Sequence, residues 1–197
     1  MNSKIPFLYK LSRLVLGPIF KLYYNPRIIN KEYIPESGPI IIAGNHKHLY
    51  DQCLTIIATK RGIHYMAKRE YFDNHLTKWF FKGCGCISID RSKKDPDATN
   101  KALSVLNDNG AIGIFPEGTR NRTKELLLPF KYGCVSMAKK ADAYIVPFGI
   151  SGDYKFRSKN LTIIYGKPFK IGNMTLSEAN DRLTKEVTNL IKHNNVN

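Results

Sequence analysis

The chain has 197 residues and carries 31 Lys and Arg against 16 Asp and Glu, which gives a net charge of +15. Hydrophobic residues make up 43% of it, so the chain is too apolar to be disordered and fits one domain with its own core. The apolar runs are shorter than the ~20 residues of a membrane-spanning helix, and we expect no signal peptide. The charge predicts an anionic partner: nucleic acid, an anionic membrane face or a phosphorylated ligand.

Four cysteines lack the spacing of zinc ligands: Cys53, Cys84, Cys86 and Cys134. We expect them to be reduced thiols that fill the core of a protein in a cytosolic setting. The sequence therefore predicts no metal site.

The first part of the chain has a pattern of its own. Apolar residues recur at helical spacing from Ile5 to Tyr24, with basic residues between them, and Gly17-Pro18 should break or kink the helix. Such an amphipathic helical pair can lie on an anionic membrane, or it can pack its apolar face on its own domain. We divide the chain into an N-terminal helical segment, 1–29, and a main domain, 30–197.

The main domain alternates short apolar runs with helical patterns. Predicted strands are 39–43, 63–67, 86–89, 111–115, 143–150 and 161–165. Predicted helices are 51–60, 71–81, 97–109, 129–141 with Pro129 in its first turn, and 175–193 with a Thr175–Glu178 capping box. This alternation is typical of an α/β fold, with a mostly parallel central sheet flanked by helices on both faces.

The polar residues of interest follow predicted strands, where open α/β sheets bind their ligands. His46 and Asp51 follow the first strand. If His46 lies in the turn and Asp51 begins the next helix, their side chains can converge, and the imidazole then keeps one nitrogen free as a base. The alternative is that Asp51 only caps the helix and His46 is an ordinary loop residue.

Two further strand ends carry candidate ligand-binding groups. Arg91 offers a planar guanidinium that suits a phosphate, although a surface ion pair with Asp90 is the ordinary interpretation. The segment after strand 111–115 offers further groups that suit a ligand. Glu117 can accept from hydroxyls, Gly118 lets the backbone approach a ligand closely, and Thr119 and Arg120 are donors. The alternative here is a plain turn with a solvated arginine.

In this order and spacing, these blocks resemble the 1-acylglycerol-3-phosphate acyltransferases of the glycerolipid acyltransferase family. The matches are N-H-x-x-x-x-D at Asn45, His46 and Asp51, the acidic-arginine block at Ile89-Asp90-Arg91, F-P-E-G-T-R at Phe115–Arg120, F-K-x-G at Phe130, Lys131 and Gly133, and the strand end at Val146-Pro147. The likeness spans about residues 40–148. One departure is His48, where family members often carry Ser.

The resemblance implies a reaction and a set of site residues. His46, oriented by Asp51, would deprotonate the sn-2 hydroxyl of lysophosphatidic acid, which attacks an acyl thioester and yields phosphatidic acid. The implied substrate-binding residues are Asn45, Arg91, Glu117, Gly118, Thr119, Arg120 and Lys131. No metal and no cofactor are expected, and acyl-CoA or acyl carrier protein would be the co-substrate.

The resemblance also implies where the protein works. Family members often dock on a membrane with N-terminal helices, so segment 1–29 is expected to bind an anionic membrane surface. This predicts a peripheral, monotopic protein at the cytoplasmic face of a membrane, with a lysophospholipid acceptor as its partner.

Two alternatives remain open at this point. The first is an acyltransferase that acts on another lysolipid or on glycerol 3-phosphate. The second, from a different class, is a basic domain that binds phosphate groups or nucleic acid. We expect no nucleic-acid partner, because the basic residues are dispersed and no RNA-recognition or helix-turn-helix motif is present.

Overall fold

The computed structural model describes residues 5–194, and a seven-stranded sheet of order β1-β7-β6-β2-β5-β3-β4 lies at its centre. The strands are β1 Arg27–Ile29, β2 Ile40–Gly44, β3 Ile63–Lys68, β4 Ile87–Ile89, β5 Ala111–Ile114, β6 Tyr144–Ser151 and β7 Thr162–Tyr165. Every pairing is parallel except that of β6 with β7. The predicted α/β fold with a mostly parallel sheet is confirmed.

Helices cover both faces of this sheet. Their bounds are α1 Phe7–Tyr24, α2 Asp51–Ala58, α3 His75–Gly83, α4 Pro96–Asn107, α5 Gly133–Lys140 and α6 Leu176–Asn194. On one face, Leu106 of α4 and Leu183 of α6 share a buried cluster with Ile41 of β2. On the other face, Leu54 of α2 packs with Ile42. Successive residues of β2 therefore serve opposite cores, as the two-residue strand period requires.

One helix replaces the predicted N-terminal pair, because α1 runs without a break through Pro18. A proline inside a helix loses one backbone hydrogen bond and costs ~3 kcal/mol. Tertiary packing offsets this cost. Tyr9 is buried, and its hydroxyl donates to the Arg61 carbonyl at 3.3 Å and accepts from the Ile63 N–H at 3.2 Å. Within residues 5–194, no helix is both long and apolar enough to cross a bilayer.

The segment that links α1 to the main domain also takes part in the sheet. Residues Arg27–Ile29 form β1 and pair with β7, although no strand was predicted there. A three-residue strand is too short to show a periodic pattern. The sheet thus begins inside segment 1–29, and the division of the chain at residue 29 stays a prediction.

Two helices begin four residues later than predicted. The helix predicted for 71–81 begins at His75, after a short 3₁₀ turn at Arg69–Phe72. The helix predicted to begin at Pro129 begins at Gly133, and the segment before it is bonded to the turn after β5, where the N–H of Lys131 donates to the Pro116 carbonyl at 2.9 Å. The capping box of α6 is confirmed, with Glu178 N–H donating to Thr175 Oγ1 at 3.2 Å.

The cysteines agree with the expected thiol chemistry. All four are free, and Cys134 is buried in the core while Cys53, Cys84 and Cys86 are partly buried. Burial raises the pKa of Cys53 to about 11 and that of Cys134 to about 12. The protonated thiols of these two residues therefore behave as small apolar side chains at neutral pH.

Candidate active site

The structure brings His46 and Asp51 together at the carboxyl end of β2. His46 lies in the turn after the strand, and Asp51 is the first residue of α2. Nδ1 of His46 is 2.8 Å from Oδ2 of Asp51. Because a carboxylate only accepts hydrogen bonds, Nδ1–H donates, and Nε2 of the neutral imidazole is left with its lone pair.

Asp51 is fully buried, and hydrogen bonds satisfy both of its carboxylate oxygens. Oδ2 also accepts from the backbone N–H groups of Lys47 at 2.7 Å and His48 at 2.8 Å. Oδ1 accepts from the hydroxyl of Tyr154 at 2.6 Å. A buried charge costs several kcal/mol unless it is paired and hydrogen-bonded, so these contacts are what keep the carboxylate in place.

The turn that follows β5 holds the imidazole and its backbone. The ring of His46 stacks on Phe115, with centroids 4.0 Å apart and an 11° angle between the planes. The His46 N–H donates to Glu117 Oε1 at 2.6 Å, and its carbonyl accepts from the Asn121 N–H at 2.6 Å. The two strand ends are therefore locked to each other around the histidine.

Glu117 braces this site. The residue is 3% exposed, and its second oxygen, Oε2, accepts from the Leu128 N–H at 2.8 Å. Burial raises the pKa of this carboxyl, while the two backbone hydrogen bonds lower it. Both carboxylate oxygens of Glu117 thus accept from main-chain N–H groups. The sequence predicted a contact between Glu117 and a substrate hydroxyl, but it did not predict this structural role.

Asn45 has a similar structural task. Its Nδ2 donates to the Ile150 carbonyl at 2.9 Å, and its Oδ1 accepts from the Ile150 N–H at 2.7 Å. These two bonds join the end of β2 to the end of β6, directly before His46. Asn45 was predicted to bind substrate, and the structure instead directs its amide to the backbone.

Arg91, Gly118 and Lys131 lie next to one another. The guanidinium of Arg91 donates to the Gly118 carbonyl at 3.0 Å and reaches the Met66 carbonyl at 3.5 Å, so it too supports the turn. Asp90 does not pair with Arg91: its Oδ1 accepts from the N–H and the hydroxyl of Ser92, and its Oδ2 lies 3.9 Å from the guanidinium of Arg69. Gly118 has φ +71°, and a Cβ there would meet Cε of Lys131 at 2.9 Å.

Arg120 and Thr119 complete the predicted set. Thr119 is exposed and Arg120 is partly exposed. Within residues 5–194, the guanidinium of Arg120 makes no hydrogen bond or ion pair. Burial lowers the pKa of His48, and the positive charge of Arg120 lowers it further. Arg120 therefore lies near the His46–Asp51 turn with its donors available.

Tyr154 is the site residue that the sequence analysis missed. It follows β6, donates to Asp51, and stacks its ring on His48 with centroids 4.1 Å apart. The one available signal was its place three residues beyond the carboxyl end of a central strand, the same edge that carries the other site residues.

The family model described as acyltransferase matches residues 25–151. The 1-acyl-sn-glycerol-3-phosphate acyltransferase of Bacillus subtilis is 29% identical over 181 residues, which cover 89% of each chain. The corresponding alpha enzyme of Homo sapiens is 31% identical over 158 residues, 76% of this chain and 54% of that protein.

A solved structure agrees with the architecture. The crystal structure of the LPA acyltransferase of Thermotoga maritima matches with a TM-score of 0.78 and 20% identity, over 94% of this chain and 78% of that one. At this identity the likeness shows the fold. Since the family model spans well over half of the chain and includes His46, Asp51 and the Phe115–Arg120 turn, the chain belongs to the acyltransferase family.

Proposed function

We propose that this acyltransferase moves a fatty acyl group from a thioester to the sn-2 hydroxyl of lysophosphatidic acid and so forms phosphatidic acid. The observation that carries the proposal is the His46–Asp51 pair, in which the buried carboxylate faces Nδ1 at 2.8 Å and directs Nε2 of the imidazole away from it, towards the acceptor. The names of the Bacillus subtilis and human relatives support this acceptor.

His46 acts as the general base in this proposal. Nε2 takes the proton of the acceptor hydroxyl as its oxygen attacks the thioester carbonyl, and the nearby Asp51 carboxylate stabilises the imidazolium that forms. The tetrahedral intermediate then expels the thiolate, which receives the proton from Nε2. The reaction needs no covalent acyl-enzyme. Coenzyme A and acyl carrier protein both fit as the thiol of the donor.

The acceptor phosphate meets a group of cations beside this base. Arg120 is the first candidate, because its guanidinium is not committed to any group in residues 5–194. Arg91 and Lys131 flank Gly118 and add positive charge, while Thr119 offers a hydroxyl donor. Guanidinium–phosphate hydrogen bonds are charge-assisted and bidentate, so these residues favour a phosphorylated acceptor over a neutral one.

A thiol-release assay tests the proposal. The acyl donor is palmitoyl-CoA or palmitoylated acyl carrier protein, and the acceptor is lysophosphatidate, lysophosphatidylcholine, glycerol 3-phosphate or monoacylglycerol. The free thiol that each reaction releases is measured. We expect lysophosphatidate to be acylated fastest, and His46→Ala to lower kcat by about 10²–10⁴-fold. The matched variant His48→Ala removes a histidine two residues away and should have a much smaller effect. An essential His48, or a preference for another acceptor, would contradict the proposal.

We further propose that the protein binds peripherally to an anionic membrane. Helix α1 exposes an apolar stripe whose members are 42–79% exposed: Phe7, Leu11, Leu14, Val15, Leu16, Ile19 and Leu22. The neighbouring α3 exposes Leu76 and Trp79 at 80% and 66%. We call these exposed side chains of α1 and α3 the docking face. Burial in lipid would remove this apolar surface from water.

Positive charge borders the docking face. A groove of about 560 Å³ between α1 and α2 is lined by apolar residues together with four basic ones, Lys10, Arg13, Lys21 and Lys60. Among the described residues, their side chains make no hydrogen bond or ion pair. Each basic residue near an anionic leaflet contributes ~1 kcal/mol, which salt screens. The groove therefore suits the phosphate head groups of a cytoplasmic leaflet.

Trp79 provides the assay for this membrane proposal, because it is the one tryptophan in the chain. Its fluorescence should shift to the blue with vesicles that contain phosphatidylglycerol, and less so with phosphatidylcholine alone. Leu22→Asn should weaken co-sedimentation, whereas Tyr144→Ala, which removes an exposed aromatic ring at the amino end of β6, should leave it unchanged. Equal binding to neutral vesicles would contradict the proposed charge contribution.

A further inference from the structure

Tyr154 contacts the carboxylate on which the base depends, from a loop more than one hundred residues away in the sequence. Its hydroxyl donates to Oδ1 of Asp51 at 2.6 Å, whereas the other three donors converge on Oδ2. Among the described residues, the Tyr154 hydroxyl is thus the single partner of Oδ1. This bond and the three on Oδ2 together fix the rotation of the carboxylate about its Cβ–Cγ bond.

Two other rings hold the hydroxyl of Tyr154 in place. Its ring stacks on His48 on one side, with an interplanar angle of 17°. The ring also meets Tyr24 of α1 edge-on, at a centroid distance of 5.5 Å. Burial raises the pKa of Tyr154 far above its ordinary value, and the negative charge of Asp51 raises it further. The hydroxyl therefore remains a donor over the working pH range.

We propose that Tyr154 is a positioning residue for acyl transfer, which holds the Asp51 carboxylate so that Oδ2 faces Nδ1–H of His46. This inference rests on the proposed role of His46 as the base. Without the hydroxyl, Oδ1 would be a buried carboxylate oxygen with no donor, and such a group either turns towards another donor or draws more strongly on the imidazolium. Either response changes the geometry or the charge that His46 meets.

Tyr154→Phe tests the proposal, because it removes the hydroxyl and keeps the ring. Tyr165→Phe is the matched control, since the hydroxyl of Tyr165 is buried and has no hydrogen-bond partner among the described residues. Tyr154→Phe should lower kcat by about ten- to a hundredfold, with KM for the acceptor within about twofold of wild type. Tyr165→Phe should leave both values unchanged.

The pH profile separates positioning from a general loss of packing. The acidic limb of the kcat/KM profile should move to higher pH in Tyr154→Phe, because a carboxylate that has lost a donor attracts the proton of the facing imidazole more strongly. The variant leaves the other titratable and charged groups around the pair unsubstituted: Lys47 and His48 from its own turn, Glu117 and Arg120 from the turn after β5, Cys53 of α2, Tyr65 of β3 and Tyr24 of α1.

A spectroscopic readout makes the test independent of the acceptor. The proton NMR resonance of the His46 Nδ1–H, identified by its loss in His46→Ala, should move in Tyr154→Phe and stay in place in Tyr165→Phe. If wild-type protein acylates no acceptor in the panel, the proposed function fails, and this resonance still tests the positioning. An unchanged kcat, an unmoved acidic limb or an unmoved resonance in Tyr154→Phe would overturn the inference.

Discussion

Replacing Asp51 by Asn removes the negative charge of this buried side chain and leaves its size almost unchanged. Three donors point at Oδ2, namely the imidazole Nδ1–H and the N–H groups of Lys47 and His48. The amide must therefore place its oxygen there and turn its NH₂ towards Tyr154, whose hydroxyl can rotate to accept. The His46 tautomer is kept in this arrangement, and only the negative charge is lost.

The size of the effect follows from that arrangement. A hydrogen bond to a charged group is worth ~1.5–3 kcal/mol against ~0.5–1.5 for a neutral one, so the four bonds of this side chain together lose about 4–6 kcal/mol of stability when the charge is removed. For a chain of this length that lowers Tm by roughly 10–20 °C. The imidazolium also loses its anion, which we expect to cost about 10²–10³-fold in kcat, less than the ~10⁴-fold seen when a histidine takes the wrong tautomer.

Thiol release at saturating lysophosphatidate measures kcat, and thermal unfolding by circular dichroism measures Tm. Glu178→Gln is the matched control, because that carboxylate also accepts a backbone hydrogen bond, from the Thr175 N–H at 2.8 Å, but in the cap of α6. It should lower Tm slightly and leave kcat unchanged. A kcat equal to that of the wild type in Asp51→Asn would refute the proposed role of the His46–Asp51 pair. A loss of 10⁴-fold or more in kcat would refute the deduced amide orientation.

Three further predictions follow from the other contacts of the site. Arg120→Ala should raise KM for lysophosphatidate by about tenfold or more with little change in Tm. Arg91→Ala should raise this KM and also lower Tm, because its guanidinium supports the Gly118 turn. Substrate titration and thermal unfolding check both variants, with monoacylglycerol as the neutral control. Glu117→Gln should lower kcat and remove about 1–3 kcal/mol of stability in urea unfolding, because one buried N–H would face the amide NH₂; an unchanged variant would mean that the brace is dispensable. Burial lowers the pKa of His48, so the folded protein binds that proton less readily than the unfolded chain and loses stability as pH falls below about 6.5. His48→Ala should reduce this loss of stability, measured by urea unfolding between pH 5 and 8. An unaltered dependence of stability on pH would assign the loss to other groups.

Much of the central sheet could be predicted because its strands are buried runs of apolar residues. Ile40, Ile41 and Ile42 have no exposed surface, and such strands are readable from composition. The proximity of His46 and Asp51 was predictable for a related reason, since both follow the same strand. Strand β1 could not be found, because its place in the sheet depends on pairing with β7 at the other end of the chain.

The parts that the sequence could not show depend on contacts between distant loops. Asn45 beside a histidine has the chemistry of a ligand, yet its amide pairs with the backbone of Ile150. Glu117 likewise accepts from the N–H of His46, which is 71 residues away in the sequence, and from that of Leu128, which is 11 residues away. In the same way, Pro18 predicts a break that the packing of Tyr9 overrides. Local sequence patterns do not predict such long-range contacts.

Helix α1 is mostly exposed, with only Tyr9 and Gly17 buried, yet it also supports the main domain. Near its start, the hydroxyl of Tyr9 is the acceptor for the first N–H of β3, at Ile63. At its last residue, Tyr24 forms one wall around Tyr154. A chimaera that borrows this helix from a relative would therefore have to keep a tyrosine at position 9 and an aromatic ring at position 24. A graft matched only in its outer apolar stripe would leave the Ile63 N–H without an acceptor and Tyr154 without one of its walls.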